Sequence, residues 1–262
     1  MKNQIQKTKR AKKVLVLCQI GLFVAILLIW EVGAKKGVLD EFLFSSPSTI
    51  FSLLYRYIYT NEIWNHLFIS VFETVLGIIF GTSLGILIAI ILWSNRFLSK
   101  LVEPFLVLLN ALPKTALAPI MIIWAGTGIR GIVVVSISIL IVVTIISTYN
   151  YFINVDEEQI KMLRSFGANK YQLFSKLIFP SNLINIINVV KINIGLAWVG
   201  VIVGEFLVSR AGLGYLIMYG GQVFRLDLVM MGVIVLCLVA YLMYAAVNLI
   251  EKILIKKRGK KI

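Results

Sequence analysis

Charged residues are scarce in this chain of 262 residues, of which they make up 15%, against roughly 25% in a typical soluble domain. Hydrophobic residues make up 60%, so there is too little polar material to cover a water-soluble globule. This composition excludes a cytosolic enzyme, a nucleic-acid-binding module and a disordered chain. The net charge of +14 does not indicate nucleic acid, because the basic residues lie at the two chain ends and in short gaps between apolar runs.

Residues that bind metals or act as nucleophiles are also rare. The chain has one histidine, His66, and two cysteines, Cys18 and Cys237. No His, Cys or Glu cluster has metal-site spacing, so no metal is expected and His66 is interpreted as an ordinary interfacial residue. Both cysteines lie in apolar runs, which predicts small buried hydrophobic residues rather than a disulfide. The phosphate-binding pattern G-x-x-x-x-G-K-[ST] is missing too, so another chain must hydrolyse any ATP that drives this protein.

Six apolar stretches are long enough to cross the hydrocarbon core, which takes about 20 helical residues. An open sheet edge in lipid would leave backbone groups unpaired, so all six are predicted to be helices. The expected fold is therefore an all-α membrane domain over residues 14–250, flanked by basic segments at 1–13 and 251–262. The predicted spans are 14–30, 67–93, 101–125, 132–149, 183–208 and 228–250.

Lysine and arginine are distributed unevenly among the gaps, which predicts the orientation. Eighteen of them lie in the segments 1–13, 94–100, 150–182 and 251–262, whereas six lie in the alternate gaps. Since cytoplasmic loops carry the excess of basic residues, both termini are predicted to be cytoplasmic. On the opposite side, Ser46 and Pro47 predict the start of an amphipathic helix that runs to Tyr59.

The predicted cytoplasmic loop at 150–182 is too long for a plain connection. Asn154, with Glu157 three residues later, predicts a capped helix start, and Gly167 predicts the end of that helix. Asn169, with Gln172 three residues later, repeats this start signal for a second amphipathic helix, which Pro180 is expected to end. In the first helix, Ile160, Leu163 and Phe166 are predicted to form an apolar stripe. A charged helix–Gly–helix element at the membrane surface indicates a partner.

Gly167 and Pro180, thirteen residues apart before the fifth span, resemble the loop signature of ATP-binding-cassette (ABC) importer permeases. The Glu-Ala-Ala of that signature is replaced here by residues 161–163, Lys-Met-Leu. The resemblance extends over roughly residues 46–250 and is closest to the subfamily that imports nitrate, sulfonates, taurine and some vitamin precursors. It rests on SPSTIFSLL (46–54), ALPKTALAPIMIIWAGTG (111–128), LRSFGANKYQLFSKLIFP (163–180) and GEFLVSRAGLGYLI (204–217).

This resemblance implies a type I ABC-importer permease fold with a coupling helix in the cytoplasmic loop. It further implies a permease homodimer, two ABC ATPase subunits that bind ATP and magnesium, an extracytoplasmic substrate-binding protein, and no cofactor in this chain. The cell membrane of a prokaryote is the implied location. The residues expected to contact the ATPase are Asp156, Glu157, Glu158, Lys161, Leu163, Arg164, Phe166, Gly167 and Pro180.

Polar residues inside the spans are expensive in lipid and are functional candidates. Lys114, Asn188 and Lys191 are expected to line the translocation path, and two lysines per subunit would suit an anionic cargo such as a sulfonate, nitrate or taurine. Two alternatives are that the lysines pair with Glu73 or Glu103, or extend to the membrane surface. A vitamin precursor, either a thiamine pyrimidine or riboflavin, is the alternative cargo.

Glu205 is a candidate for the path or, alternatively, for holding the Gly-Leu-Gly turn at 212–214. In span two, Gly77, Gly81 and Gly85 share one helix face and predict close helix packing. Two further functions remain open: an ATP-independent transporter or channel subunit, and a membrane scaffold whose loop binds a signalling partner. The former predicts internal repeats, which the sequence lacks.

Overall fold

The structure, a computed structural model, describes the backbone of residues 2–258 and the side chains of residues 14–256. Within that range the regular elements are helices and no strand occurs, as predicted. The side chains of the predicted basic segment 1–13 and of residues 257–262 in the basic tail lie outside the described residues. The α-helices are α1 (Lys2–Lys35), α2 (Glu41–Phe44), α3 (Pro47–Tyr59), α4 (Glu62–Ser94), α5 (Arg96–Ala111), α6 (Ala118–Ala125), α7 (Ile129–Ile153), α8 (Glu157–Ser165), α9 (Lys170–Leu173), α10 (Phe179–Ser181), α11 (Leu183–Val208), α12 (Leu213–Gln222) and α13 (Leu226–Arg258).

Five helices are long and apolar enough to cross a membrane: α1 from Val14 onward, α4, α7, α11 and α13. The fifth predicted span has the observed bounds of α11, while α4, α7 and α13 extend beyond the predicted ends. They extend because polar residues at a helix end continue the helix into the interfacial region. A prediction from the length of an apolar run leaves those residues out.

The predicted third span, 101–125, is wrong as a continuous helix. In the structure α5 ends at Ala111, a 3₁₀ turn covers Lys114–Leu117, and α6 follows at an angle of 86° to α5. Leu112, which precedes Pro113, is extended, as the steric clash with the proline ring favours. Pro104 lies inside α5 without ending it. The pair is thus a broken span or a re-entrant segment, and with it the chain has up to six crossings.

The chain divides into two compact units. The first holds the residues up to Ile63 together with Leu216–Ile234. Here Trp30 Nε1 donates to the Ser45 carbonyl (3.2 Å) and the Ser48 amide donates to Glu31 (3.0 Å), which ties the end of α1 to the start of α3. The predicted amphipathic helix is confirmed as α3, capped by Ser46, whose Oγ accepts from the Thr49 amide.

The second unit holds Trp64–Tyr215 and the residues from Val235 onward, and its core is a helix pair, α7 and α11. Glycines allow α4 and α11 to approach α7 closely, because a Cβ atom at these positions would meet atoms of the opposite helix. The facing pairs are Gly77 with Ser136, Gly81 with Leu140, Gly85 with Thr144, Gly200 with Ser136 and Gly204 with Ile132.

A buried amide links three helices at the centre of this unit. The Asn193 amide of α11 donates to Thr82 Oγ1 of α4 (2.8 Å) and to Thr144 Oγ1 of α7 (2.9 Å). All three residues are buried, where a hydrogen bond left unmade would be costly. By contrast, Cys18 on α1 and Cys237 on α13 are exposed, so the prediction that they are buried is wrong. An apolar run does not distinguish a helix face that meets lipid from one that meets protein.

Candidate functional site

The loop at 150–182 folds into two short helical arms, which we call the hairpin (residues 156–181). Asp156 caps the first arm, α8, with Oδ1 accepting from the Glu158 amide at 2.9 Å. The predicted cap at Asn154 is wrong, because α7 continues to Ile153 and the Asn154 side chain donates back to the Asn150 carbonyl. The cap of α8 thus lies two residues after the predicted one.

Gly167 forms the turn of the hairpin, as predicted. Its φ of +78° favours glycine, and its amide donates to the Arg164 carbonyl at 2.9 Å. The second arm begins with the predicted reciprocal cap, in which Asn169 Oδ1 accepts from the Gln172 amide and Gln172 Oε1 accepts from the Asn169 amide. These caps define the hairpin locally.

Pro180 does not end the second arm, so that prediction is wrong. A π-helical segment, Phe174–Ile178, precedes it, and Pro180 lies in the first turn of α10. A proline is tolerated in a first turn, since its missing N–H would have had no helical partner there. The second arm therefore continues almost directly into α11.

The inner face of the hairpin is packed against the ends of α4 and α7. Ile160 and Leu163 contact a buried cluster that includes Phe152, Leu173 and Ile178. In addition, Lys170 Nζ donates to the Ser94 carbonyl at the end of α4 (2.5 Å). The hairpin is thus packed against two membrane-crossing helices.

The outer face of the hairpin leaves both charged and apolar side chains exposed. Phe166, a member of the predicted apolar stripe and one of the residues expected to contact the ATPase, follows α8 as its C-cap, and 81% of its surface is exposed. With Met162 and Tyr171, also exposed, it forms what we call the hairpin patch. Large apolar side chains exposed among charges are typical of a protein contact surface. The exposed charged residues around them are Asp156, Glu157, Glu158 and Lys161, while Arg164, also predicted to contact the ATPase, is exposed towards the ends of α4 and α7.

Of the two lysines predicted to line the path, Lys191 is already paired. Its ammonium contacts Glu251 of α13, bonds Asn248 Oδ1 at 3.3 Å and lies 5.8 Å from the Tyr244 ring centre. The alternative of an ion pair is therefore observed, but with a partner that was not predicted. Asn188, one turn away, is half-buried.

Lys114 has a different environment. It begins the 3₁₀ turn between α5 and α6, and its ammonium donates to the Asn110 carbonyl at 3.3 Å. Among the residues that the structure describes, no carboxylate forms an ion pair with this ammonium, and the proposed partner Glu73 lies elsewhere, against Glu205.

Glu205 holds the loop that follows α11. Its Oε1 accepts from Ser70 Oγ at 2.5 Å and its Oε2 accepts from the Gly214 amide at 2.6 Å. Ser70 Oγ in turn accepts from the Leu213 amide at 2.7 Å. Cβ atoms at Gly212 or Gly214 would collide with the Glu205 carboxyl group, so the turn requires small residues. These contacts favour the predicted role of Glu205 in holding the loop over the alternative that it lines the translocation path.

Two further residues join this arrangement, His66, which had no assigned partner in the sequence, and Glu73, whose predicted partner was a lysine. His66 Nδ1 accepts from the Gly212 amide at 2.9 Å, and its ring stacks on Tyr215. Glu73, which is 1% exposed, lies beside the Glu205 carboxyl group. We call Ser70, Glu73, Glu205, His66 and the backbone of 212–214 the anchoring cluster. The sequence signal for this cluster was the spacing of His66 and Ser70, which places them one turn apart on α4.

A cavity of about 560 Å³ lies beside the anchoring cluster, between the start of α7 and the loop after α11. It is lined by the buried Glu73, by Thr127 and Gly128 before α7, and by Ser209 and the exposed Arg210. The arginine therefore presents a positive charge to a space of solute size.

Comparisons with known proteins agree with this architecture. Residues 81–260 match the family described as the inner membrane component of binding-protein-dependent transport systems. A Bacillus subtilis protein named as an aliphatic sulfonates transport permease, SsuC, is 30% identical over 235 residues, covering 89% of this chain and 85% of that protein. A Halalkalibacterium halodurans protein named as a formylaminopyrimidine transport permease, ThiX, is 30% identical over 240 residues, covering 91% and 94%.

A solved structure is similar as well. One chain of a bacterial ABC transporter involved in the import of the acidic polysaccharide alginate aligns with a TM-score of 0.65 at 13% identity. The alignment covers 92% of this chain and 96% of that chain. At this identity the similarity shows a shared fold, and it confirms the predicted fold class.

Proposed function

Because this chain belongs to the family of binding-protein-dependent transport system inner membrane components and is an ABC-importer permease, we propose how it is driven and what it carries. It is a multi-pass membrane protein and a transporter subunit rather than an enzyme. The proposal has three parts: the hairpin receives the motion of a separate ATPase, two copies of the chain form the pathway, and the cargo is a small anion.

The observation that carries the first part is the hairpin patch. Its apolar side chains and surrounding charges are exposed, while the opposite face of the same arms is packed on α4 and α7. A rigid element with one face fixed to the spans and one face free is suited to transmit a push. We propose that this face docks into an ABC ATPase, whose closure moves α4 and α7 through Ile160 and Leu163.

Two hairpin variants test this docking. Glu157→Arg inverts an exposed charge that makes only a weak surface pair with Lys161 (3.4 Å). Gly167→Pro breaks the turn, since proline cannot adopt the positive φ found there. Both should reduce co-purification of the ATPase about tenfold or more without loss of membrane insertion, whereas Gly195→Ala, at an open position, should have no effect. Unchanged complex assembly in both hairpin variants would contradict the docking.

The proposed assembly is a homodimer with both termini cytoplasmic, two ATPase subunits at the hairpins, and a substrate-binding protein on the opposite side. The family description names dependence on a binding protein, and the excess of basic residues supports the orientation. Mass measurement of the detergent-solubilised complex should give two copies of this chain with two ATPases. ATP-independent uptake in proteoliposomes that contain this chain alone would contradict the proposal.

The proposed cargo is a small anionic solute of the sulfonate class. The sulfonate permease of B. subtilis supports it, and so do two positive charges that no observed contact with a carboxylate neutralises, Lys114 at the broken span and Arg210 at the 560 Å³ cavity. Lys191 does not add to these positive charges, because it forms an ion pair with Glu251. A pyrimidine precursor is the second candidate, favoured by the equal identity to the formylaminopyrimidine permease.

Uptake into proteoliposomes that contain the complete complex distinguishes the two cargoes. Labelled ethanesulfonate or taurine should accumulate with ATP, and Lys114→Gln should slow uptake about tenfold while Lys114→Arg retains most of it. Uptake of a formylaminopyrimidine that sulfonates do not compete with, and that Lys114→Gln leaves intact, would assign the second cargo instead.

A further inference from the structure

A second cavity, of about 380 Å³, lies between the hairpin and the ends of α4 and α7. The described residues that line it include three basic side chains, Arg96, Arg164 and Lys170, and no acidic one. The three come from different helices, since Arg96 begins α5, Arg164 lies in the last turn of α8 and Lys170 begins α9. Like charges around one cavity repel each other, so a bound anion would stabilise the arrangement of the three helices.

The rest of the cavity wall is apolar and aromatic. Leu92, Phe152 and Ile178 are buried there, and Trp93 and Tyr149 are half-buried. Trp93 is the penultimate residue of α4, and an amphipathic ring at a span end is typical of the membrane–water interface. The basic side chains thus lie at the depth where lipid headgroups lie.

Exposed apolar residues adjoin the cavity. Ile153, which lines it, is 49% exposed, and Phe97, next to Arg96, is 77% exposed. An inorganic anion or a soluble metabolite would leave these side chains in water, whereas the acyl chains of a lipid would cover them. The combination of a basic cavity with an adjoining apolar surface therefore favours a lipid over a soluble anion.

We propose that this cavity binds the phosphate group of an anionic phospholipid of the cytoplasmic leaflet. The two arginines would donate hydrogen bonds to the phosphate oxygens, and Lys170, which also holds the Ser94 carbonyl, would add charge at the end of α4. The lipid would then join α5 to both arms of the hairpin and hold the hairpin patch in place. The proposal rests on the proposed orientation, which puts the hairpin at the cytoplasmic side.

The test compares two double variants with equal loss of charge. Arg96→Gln with Lys170→Gln removes two cations from the cavity, whereas Lys100→Gln with Lys176→Gln removes two exposed cations outside its lining. The full-length permease in neutral detergent is titrated with phosphatidylglycerol and with phosphatidylcholine, and bound lipid is counted by native mass spectrometry. Phosphatidylglycerol binding should weaken about 20-fold in the first variant and less than about twofold in the second.

A single variant guards against misfolding of the hairpin. Arg96→Gln leaves the Lys170–Ser94 bond in place, and it should weaken phosphatidylglycerol binding about fivefold. Equal losses in the two double variants would overturn the proposal, because general attraction to a basic protein would then explain the binding. Displacement of the lipid by equimolar glycerol 3-phosphate, or by stoichiometric addition of the ATPase, would also overturn it, in favour of a soluble anion or a protein partner.

The outcome is separable from that of the proposed function. Lipid retention is counted without ATP or cargo, so ATP-driven uptake with no preference for phosphatidylglycerol would overturn the lipid site alone. Selective lipid retention in a protein that needs no ATPase for uptake would overturn the proposed coupling while leaving the lipid site in place.

Discussion

At one end of the second compact unit the carboxyl group of Glu205 is fully buried and hydrogen-bonded, whereas at the other end the hairpin leaves charged and aromatic side chains exposed. The anchoring cluster satisfies its donors internally, through Ser70, His66 and the amides of 212–214. The hairpin packs its inner face against α4 and α7 and leaves its outer face exposed. The contrast shows that the anchored end is held by contacts within the unit, and it supports the proposal that another molecule binds the hairpin end.

Removal of the buried carboxylate should give the largest loss of stability. Glu205→Ala leaves the Ser70 hydroxyl and the Gly214 amide without their acceptor in a dry site. We expect the free energy of unfolding to fall by about 4 kcal/mol, measured by denaturant titration in detergent micelles. Glu205→Gln keeps one oxygen acceptor and should lose about half as much. A loss below about 1 kcal/mol in the alanine variant would show that the cluster does not anchor the loop.

The close approach of α7 and α11 gives the next effect. In Gly200→Ala the new methyl group meets the Ser136 backbone, which cannot move without separating the helices, and we expect a cost of about 3 kcal/mol. Gly195→Ala, on the same helix, places its methyl group in open space and should be neutral or slightly stabilising. Equal unfolding midpoints for the two variants would contradict the tight packing.

The ion pair between α11 and α13 should contribute less. Lys191 and Glu251 are 12% and 13% exposed at their side chains, so either Lys191→Gln or Glu251→Gln should cost about 2 kcal/mol. The double variant should recover part of that loss, which a double-mutant cycle measures. If Lys191 instead binds cargo, Lys191→Gln would abolish uptake while Glu251→Gln would not, and the assignment to an ion pair would fail.

The smallest effect on stability is expected at the hairpin patch. Phe166→Ser alters an exposed side chain and should change the free energy of unfolding by less than about 0.5 kcal/mol, yet it should weaken binding of the ATPase. Leu163→Ala, on the packed face of the same arm, should cost about 2 kcal/mol. If Phe166→Ser destabilised the protein as much as Leu163→Ala, the division into a packed and a free face would be wrong.

Much of the architecture could be predicted from local patterns. Among the described residues, apolar length located the five long crossing helices, and it gave the bounds of α11 at residues 183 and 208, because a polar or proline-containing segment lies at each end. The capping residues Asn169 and Gln172 and the turn at Gly167 also depend on neighbouring residues alone. The break near Pro113 could not be located from the sequence. Pro104 lies in a similarly apolar segment and yet stays within a helix.

Contacts between distant residues were beyond the reach of these patterns. Glu251 lies 60 residues from Lys191, and Ser70 lies 135 residues from Glu205, so no spacing rule connects either pair. Phe166 follows the last residue of α8 and is exposed, whereas Ile160 and Leu163 of the same predicted stripe pack inward. The spacing of the stripe alone did not show this division.

Site-specific cross-linking between the hairpin and the ATPase tests the central claim most directly. In a Cys18→Ser, Cys237→Ser background, Phe166→Cys is compared with Tyr55→Cys on α3, where the side chain is similarly exposed. A thiol cross-linker applied to the assembled complex should join position 166 to the ATPase and leave position 55 unlinked, with a yield that changes on addition of ATP. Linkage from position 55, or from neither position in a complex that transports, would contradict the account.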